Sequence, residues 1–318
     1  MLWTDRIGRR LKLRDLHILL SVVQRGSMAK AAAELAISQP AVSKAIADME
    51  HAVGLRLLER NRNGIEPTPY GRVLVKRGIA IFDELKHGVE ELEFLADPTG
   101  GELHIGSTES IAAGLLPAII ERFSREYPLV HLDVAQAVMN TLHYRELRER
   151  RIDLLLGRIP TPFTEDDLDV DVAYDDQVVV VAGRDSRWAR ARRLKLADLS
   201  GERWVLPPAG TLPGSLAVDL FRAGGVQMPR APVTTLSIHV CCRLAATGRF
   251  VTTLPISVLR FAGCHLPLKV LPIKLLTQPR PVGIVTLKNR TLSPTANVFI
   301  ESVHRTLKSR GLIKKPRR

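Results

Sequence analysis

Gly26-Ser27-Met28-Ala29-Lys30-Ala31-Ala32-Ala33-Glu34-Leu35-Ala36-Ile37-Ser38-Gln39-Pro40-Ala41-Val42-Ser43-Lys44 is the stretch that decides how this chain begins to fold. Ser27 is a natural N-cap, because its hydroxyl can accept a backbone N–H that a first helical turn leaves unpaired. The alanine-rich run after it predicts a short helix whose small side chains let another helix approach closely. Ala36-Ile37 makes a turn, and Ser38 caps a second helix. Pro40 falls in that helix's first turn, where its missing N–H costs nothing. Val42, Ile46, Met49 and Val53 recur at helical spacing and predict a buried stripe, and Gly54 supplies the stop. Gln39, Ser43 and Lys44 point elsewhere.

Two helices joined by a tight turn, with polar side chains at the start of the second, have the geometry that reads a major groove. Gln39 can pair with an adenine edge, and Ser43 or Lys44 can reach bases or phosphates. On periodicity alone, the same residues suit the solvated face of an ordinary helical hairpin equally well. The next residues shift that balance. Leu55–Arg60 leads to the turn Asn61-Arg62-Asn63-Gly64 and then to Ile65-Glu66-Pro67-Thr68-Pro69-Tyr70-Gly71. A basic turn between two short extended pieces reads as a wing beside the second helix.

From Leu13 to Gly71 the chain resembles the LysR-type transcriptional regulators. The resemblance rests on L-H-I-L-L-S-V-V, R-G-S-M-A-K-A-A and L-A-I-S-Q-P-A-V-S-K-A-I, then L-E-x-x-x-G-x-x-L-x-x-R and T-P-x-G, with Met49-Glu50 for the usual Leu-Glu. It implies a sequence-specific DNA-binding transcription regulator, not an enzyme, switched by a small-molecule effector in its carboxy-terminal domain. It also implies that Ser38, Gln39, Pro40, Ser43 and Lys44 belong to the groove-facing helix. Ser27, Arg60 and Thr68 would hold phosphates or the minor-groove edge.

Length and composition leave room for this. The chain has 318 residues, 45% hydrophobic and 25% charged, enough for two or three domains. The net charge of +13 suggests a polyanionic partner, yet residues 1–95 hold only 15 Lys+Arg against 12 Asp+Glu. Bulk charge therefore points away from the amino-terminal region, and the DNA reading depends on the motif. No apolar run reaches the roughly 18 residues of a membrane span. The basic start of the chain runs on without an apolar segment and cleavage site, so the expectation is a cytoplasmic protein without membrane contact. Cys241, Cys242 and Cys264 fit neither a disulfide framework nor a zinc spacing. His239 beside the cysteine pair lacks further ligands, and a core cysteine pair with no metal is expected. G-x-G-x-x-G, P-loop, H-E-x-x-H and G-x-S-x-G patterns are absent, which argues against an enzyme and against a cofactor. An exported solute-binding protein would share the carboxy-terminal pattern but lacks the helix-turn-helix.

The organisation reads as a winged helix-turn-helix domain over 1–68, a linker and dimerisation helix over 69–97, and an effector-binding domain over 98–318. In the linker, Val75, Phe82 and Val89 fall seven apart, with Gly78, Leu85 and Leu92 between them. That is a heptad seam suited to a two-stranded pair, although a helix packed on its own domain has the same pattern. The resemblance implies that this helix pairs the DNA-binding domains, giving a homodimer or homotetramer on an operator of imperfect dyad symmetry, with RNA polymerase as a partner.

After Asp97-Pro98-Thr99-Gly100-Gly101, strand-like runs at Glu102–Gly106, Val130–Ala135, Asp153–Leu156, Gln177–Ala182 and Val282–Leu287 alternate with helical patterns. This reads as α/β with parallel strands. The resemblance implies the two-lobed fold of type 2 periplasmic binding proteins, preceded by an all-α winged helix-turn-helix and a long linker helix. The effector would sit in the cleft. Ser107, Thr108 and Ser110 lie where a strand runs into a helix, a natural small anion site. Asn140 and Thr141 match a second family position, with Asn140 where Thr is usual. Arg158 can pair an anionic group bidentately. Pro208 and Thr253, from Leu206-Pro207-Pro208 and Thr247–Pro255, complete the expected pocket, whose ligand is expected to be anionic or hydroxylated. Phe250 stands where the family has a second glycine. The acidic run Glu165–Asp171 reads as a solvated loop and strand edge, and the arginine-rich Arg184–Lys195 as a solvated face.

Overall fold

The computed structural model describes residues 11–61, 64–137, 141–261, 267–274 and 277–312, with the backbone alone for 141–143. Asn140, the Thr141 side chain, Arg62, Asn63 and Cys264 thus lie outside the described residues. The chain groups into two compact units that divide between Val89 and Glu90.

In the first unit, α1 (Leu13–Arg25) buries Leu16, Ile18, Leu19 and Val22 and ends at Gly26 in the left-handed region. Helix α2 (Met28–Glu34) starts at Ser27, whose hydroxyl accepts from the Lys30 N–H at 3.4 Å, and turns Ala31 and Ala32 inward. A turn through Ala36, at φ +53°, leads to α3 (Gln39–Val53). Ser38 caps α3 by accepting from the Ala41 N–H at 3.3 Å, and Gly54 closes it with an N–H to the Glu50 carbonyl at 2.8 Å. Val42, Ile46 and Met49 are buried against α1, each worth about 1.5–3 kcal/mol relative to exposure. The expected stripe and both caps are present.

Strands β1 (Leu58–Asn61) and β2 (Gly64–Pro67) pair antiparallel as the wing. Gly64 touches down on the α1–α2 turn: the next N–H, of Ile65, donates to the Gly26 carbonyl at 2.9 Å. A Cβ at Gly64 would lie 2.7 Å from that oxygen, and φ there is +126°. Helix α4 (Pro69–Ala96) follows. Its first half packs on its own domain through Leu74, Val75 and Phe82, with Gly78 against Leu16 and Phe82 tilted on His17 at 5.4 Å.

The second unit is two five-stranded sheets. The first lobe has the order β4-β3-β5-β12-β6, formed by β3 (Gly100–Thr108), β4 (Leu129–Ala137), β5 (Leu154–Arg158), β6 (Leu168–Asp176) and β12 (Arg280–Leu287). The second has the order β11-β7-β10-β8-β9, formed by β7 (Val178–Gly183), β8 (Trp204–Leu206), β9 (Val233–Thr234), β10 (Val251–Pro255) and β11 (Leu268–Val270). The chain crosses between lobes at Gln177 and returns between Val270 and Arg280. Parallel pairing holds for β3 with β4 and β5, and for β8 with β9 and β10. The returning strand β12 is antiparallel to both neighbours, as β7 is to β10 and β11. The sheets are therefore mixed rather than all parallel, because a strand that comes back from the other lobe enters from the opposite end.

Short helices α5 (Glu109–Ala112) and α6 (Leu115–Glu126) follow β3, and α7 (Thr141–Arg148) follows β4. Helices α8 (Leu212–Ala223), α9 (Ile238–Ala246) and α10 (Ile256–Phe261) belong to the second lobe, and α11 (Pro294–Ser309) ends the fold on the first. Phe123 and Phe299 meet edge to face at 5.2 Å in the first core, and Trp204 and Phe221 at 4.9 Å in the second. The acidic run is partly strand β6 and partly a clamp: Arg148 binds Asp167 at 2.7 Å and Glu165 at 2.5 Å. Those carboxylates hold its guanidinium well above the usual range. Among the described residues no helix is long and apolar enough to cross a membrane.

Candidate functional site

Two surfaces concentrate the expected chemistry. Of the expected residues on α3, Gln39, Pro40 and Lys44 are exposed, with Ser38 exposed at the cap. Ser43 is half-buried, and its hydroxyl donates to the Met28 sulfur at 3.3 Å. Arg60 is exposed on β1. Ser27 is half-buried and committed as the α2 cap.

Thr68 is elsewhere. It is buried, its hydroxyl donates to the Arg56 carbonyl at 2.7 Å, and it accepts from the Gly71 N–H at 3.0 Å. Both functions of the hydroxyl are spent on capping α4 and tying it to the wing, so a phosphate contact by Thr68 is corrected to a structural cap. Glu50 does comparable work unnoticed in the sequence. Its Oε1 accepts from Leu57 N–H at 2.7 Å and Leu58 N–H at 3.2 Å, which fixes where the wing leaves α3.

The linker also departs from expectation. Leu85, Val89 and Leu92 are exposed, whereas Val75 and Phe82 pack on the helix-turn-helix core. The exposed apolar face runs through Tyr70, Ile81, Leu85, Leu92 and Leu95, flanked by Val73 and Val89. At 3.6 residues per turn this face is rotated away from Val75 and Phe82. The heptad pattern merged two faces, one serving the domain core and one left open.

The second surface is a cavity of about 110 Å³ between the two lobes. Of the expected residues, Thr108, Ser110, Arg158 and Thr253 line it. Ser107 is fully buried, with its hydroxyl on the Thr108 carbonyl at 3.3 Å, and Pro208 is half-buried, its carbonyl accepting the Thr211 hydroxyl at 2.6 Å. Neither belongs to the lining. Helix α5 is a single four-residue turn, too short for an aligned dipole, which removes the expected anion site at its start. Thr108 makes no side-chain cap there; its Oγ1 is buried with no hydrogen-bond partner among the described residues.

Arg158 faces the cleft with its charge already matched. Nη1 donates to the Asp176 carbonyl at 2.9 Å and Nη2 to the Asp176 carboxylate at 3.2 Å. Ser257 completes that carboxylate with a hydroxyl bond of 2.6 Å and an N–H bond of 3.3 Å. Burial lowers the basicity of Arg158, and Asp176 opposes that effect. The residues unforeseen from sequence are Glu109, Gln136, Thr235 and the apolar wall of Val178, Leu212 and Leu216. Glu109 bridges the lobes: it accepts from Gln136 Nε2 at 2.9 Å and from the Ile238 N–H, at the start of α9, at 3.2 Å.

Comparison with known proteins bears on both surfaces. The family model for the bacterial regulatory helix-turn-helix protein of the lysR family matches residues 13–72, and that for the LysR substrate binding domain matches residues 96–308. The chain belongs to the LysR family. It is a DNA-binding transcription regulator with an effector-binding domain, and not an enzyme. Similar regulators include GbpR of Azospirillum brasilense, 30% identical over 92% of this chain and 86% of that one. GltC of Bacillus subtilis is 30% identical over 92% and 96%. Among solved structures, full-length OxyR from Pseudomonas aeruginosa shares the fold with a TM-score of 0.64 at 20% identity, over 92% of this chain and 97% of that one. Full-length CbnR in complex with its target DNA has a TM-score of 0.61 at 21% identity, over 93% and 100%.

Among the described residues of this LysR regulator, His239 and the cysteine pair do not fall within a group of metal-ligating side chains. Cys241 and Cys242 are buried, and burial pushes the Cys241 thiol up. The Ser-Thr-Glu-Ser run was legible as a strand end, but only the fold shows that its glutamate, rather than its hydroxyls, reaches the other lobe.

Proposed function

We propose that this LysR regulator docks α3 in a major groove as a dimer, and that a small molecule in the inter-lobe cleft shifts how the dimer sits on its operator. One observation carries the DNA half: α3 buries Val42, Ala45, Ile46 and Met49, while Gln39 and Pro40 in its first turn and Lys44 on its other face stay exposed. Gln39 and Lys44 then read or approach bases from the first turns of α3, Ser38 and Ser43 support them, and Arg60 meets a phosphate from the wing. Ser27 holds the start of α2 beside the backbone.

The functional division follows 1–68 for DNA reading, 69–97 for the linker and 98–318 for effector response. Leu85, Val89 and Leu92, joined by Ile81 and Leu95, make the homodimer seam. An apolar face of that length on one helix is costly to leave in water, and a second copy covers it. A homotetramer extends the same logic, with RNA polymerase as the downstream partner in the cytoplasm. Thr108, Ser110 and Thr253 line the effector site, and Asn140 and Thr141 join it on the family resemblance alone. Ligand acts only through its different affinity for two arrangements of the assembly.

Selection of fragments from sheared genomic DNA, followed by footprinting, tests this reading. The expected result is enrichment of dyad sites over random DNA, with a protected length matching two half-sites. Equal retention of all fragments would overturn it.

A further inference from the structure

Among the described residues the cleft wall holds one uncompensated charge, and it is negative. Among the described residues the ionisable groups lining the cleft are Glu109, Arg158 and Cys241. The thiol is neutral, being pushed up by burial. Arg158 is spent on Asp176, which Ser257 also holds. The donors on Glu109, by contrast, are the neutral Gln136 amide and the Ile238 N–H.

The geometry points to Glu109 as the charge-selecting residue of the effector cleft, which takes a small ligand bearing an ammonium or similar cationic N–H group on an apolar body. This rests on the cleft being the effector site. Each Glu109 oxygen accepts one bond and has a further lone pair to offer, and a cationic donor makes the stronger, charge-assisted kind. Val178, Leu212, Leu216 and Leu236 then enclose the apolar body. A carboxylate ligand would meet Glu109 with like charge. Arg158, which already neutralises Asp176, brings no net positive charge to offset that repulsion. The anionic ligand expected from Arg158 is thereby replaced by its opposite, because the arginine is neutralised from behind. Since Glu109 also binds the first N–H of α9, a cation seated on it joins the two lobes through one carboxylate.

Isobutylamine, isobutanol and isobutyrate share one apolar body and differ in the head group, so thermal unfolding of the full chain with each, at fixed ionic strength, tests the assignment. Ligand bound to the folded state raises the melting temperature by mass action. The expected result is a rise with isobutylamine alone. Glu109→Gln, which keeps an acceptor for the Ile238 N–H, should need about tenfold more amine for the same rise. Leu216→Trp, which fills the cleft, should abolish the rise while unfolding cooperatively by itself. A larger response to isobutyrate that Leu216→Trp removes would overturn the charge assignment and leave the effector cleft standing. An amine response unchanged in Leu216→Trp would overturn the cleft reading itself. No amine response, or one unchanged in Glu109→Gln, would overturn the inference.

Discussion

Replacing Asp176 by alanine should cost this protein more than almost any other single change in its regulatory domain. Asp176 is 2% exposed and Arg158 7% exposed, so the substitution leaves a guanidinium whose only remaining fixed partner among the described residues is the residue 176 carbonyl at 2.9 Å. Breaking a buried pair from one side costs about 3–5 kcal/mol. The Ser257 hydroxyl, bonded to the carboxylate at 2.6 Å, loses its acceptor as well, which is worth about 1 kcal/mol. Water entering from the cleft can rehydrate one side of Arg158, which places the net loss near the lower end, about 3 kcal/mol. Urea unfolding followed by tryptophan fluorescence measures this, since Trp204 is fully buried in the second lobe. Arg158→Met in the same chain removes the orphaned charge, so the double variant should be more stable than Asp176→Ala by about 2 kcal/mol. A loss below about 1 kcal/mol for Asp176→Ala, or strictly additive losses, would refute the claim that the pair is a closed unit.

Thr68→Val should destabilise the first unit by about 1–2 kcal/mol through loss of the α4 cap. It should leave the salt dependence of DNA binding unchanged; a slope reduced by about one would restore Thr68 as a phosphate ligand. Leu85→Asp should put a charge in the exposed linker face and convert the proposed dimer to monomer in light scattering, and a mass equal to that of the unsubstituted protein would remove this face from the seam. Tyr144 is desolvated, with its phenol pushed up to about 12 by burial and then by Glu165. The folded state therefore holds this proton when an unfolded phenol, near 10, has lost it. Stability from this group is complete below about pH 10 and falls as pH rises through about 12. Phenolate absorbance of the folded protein, compared with that of Tyr144→Phe, should show the Tyr144 phenol ionising only near pH 12, and ionisation near the ordinary phenol value of about 10 would contradict the buried placement.

The amino-terminal half was largely legible because its signals are local. Ser27, Ser38, Pro40 and Gly54 announce helix ends, and a 3.6-residue period announces the buried stripe of α3. The linker misled because Val75 and Phe82 share the heptad spacing of Leu85 and Leu92, and periodicity cannot tell a partner helix from the domain the helix grows out of. Thr68 misled because a capping hydroxyl and a phosphate-binding hydroxyl look alike until their partners are known. The cleft was the least legible part. Arg158 reads as a free cation in a sequence, and Asp176, eighteen residues on, becomes its partner only because β6 ends at the lobe crossing. Glu109 meets Ile238 across 129 residues, a pairing that no local pattern encodes.

The central claim, that α3 reads bases while the wing holds the backbone, is tested most directly by comparing Gln39→Ala with Arg60→Ala on operator and random duplexes across a salt series. Gln39→Ala should lose about 1–3 kcal/mol on the operator alone and relax preference at one base pair. Arg60→Ala should weaken both duplexes alike and lower the salt slope by about one. Equal losses on operator and random DNA for Gln39→Ala would contradict the account.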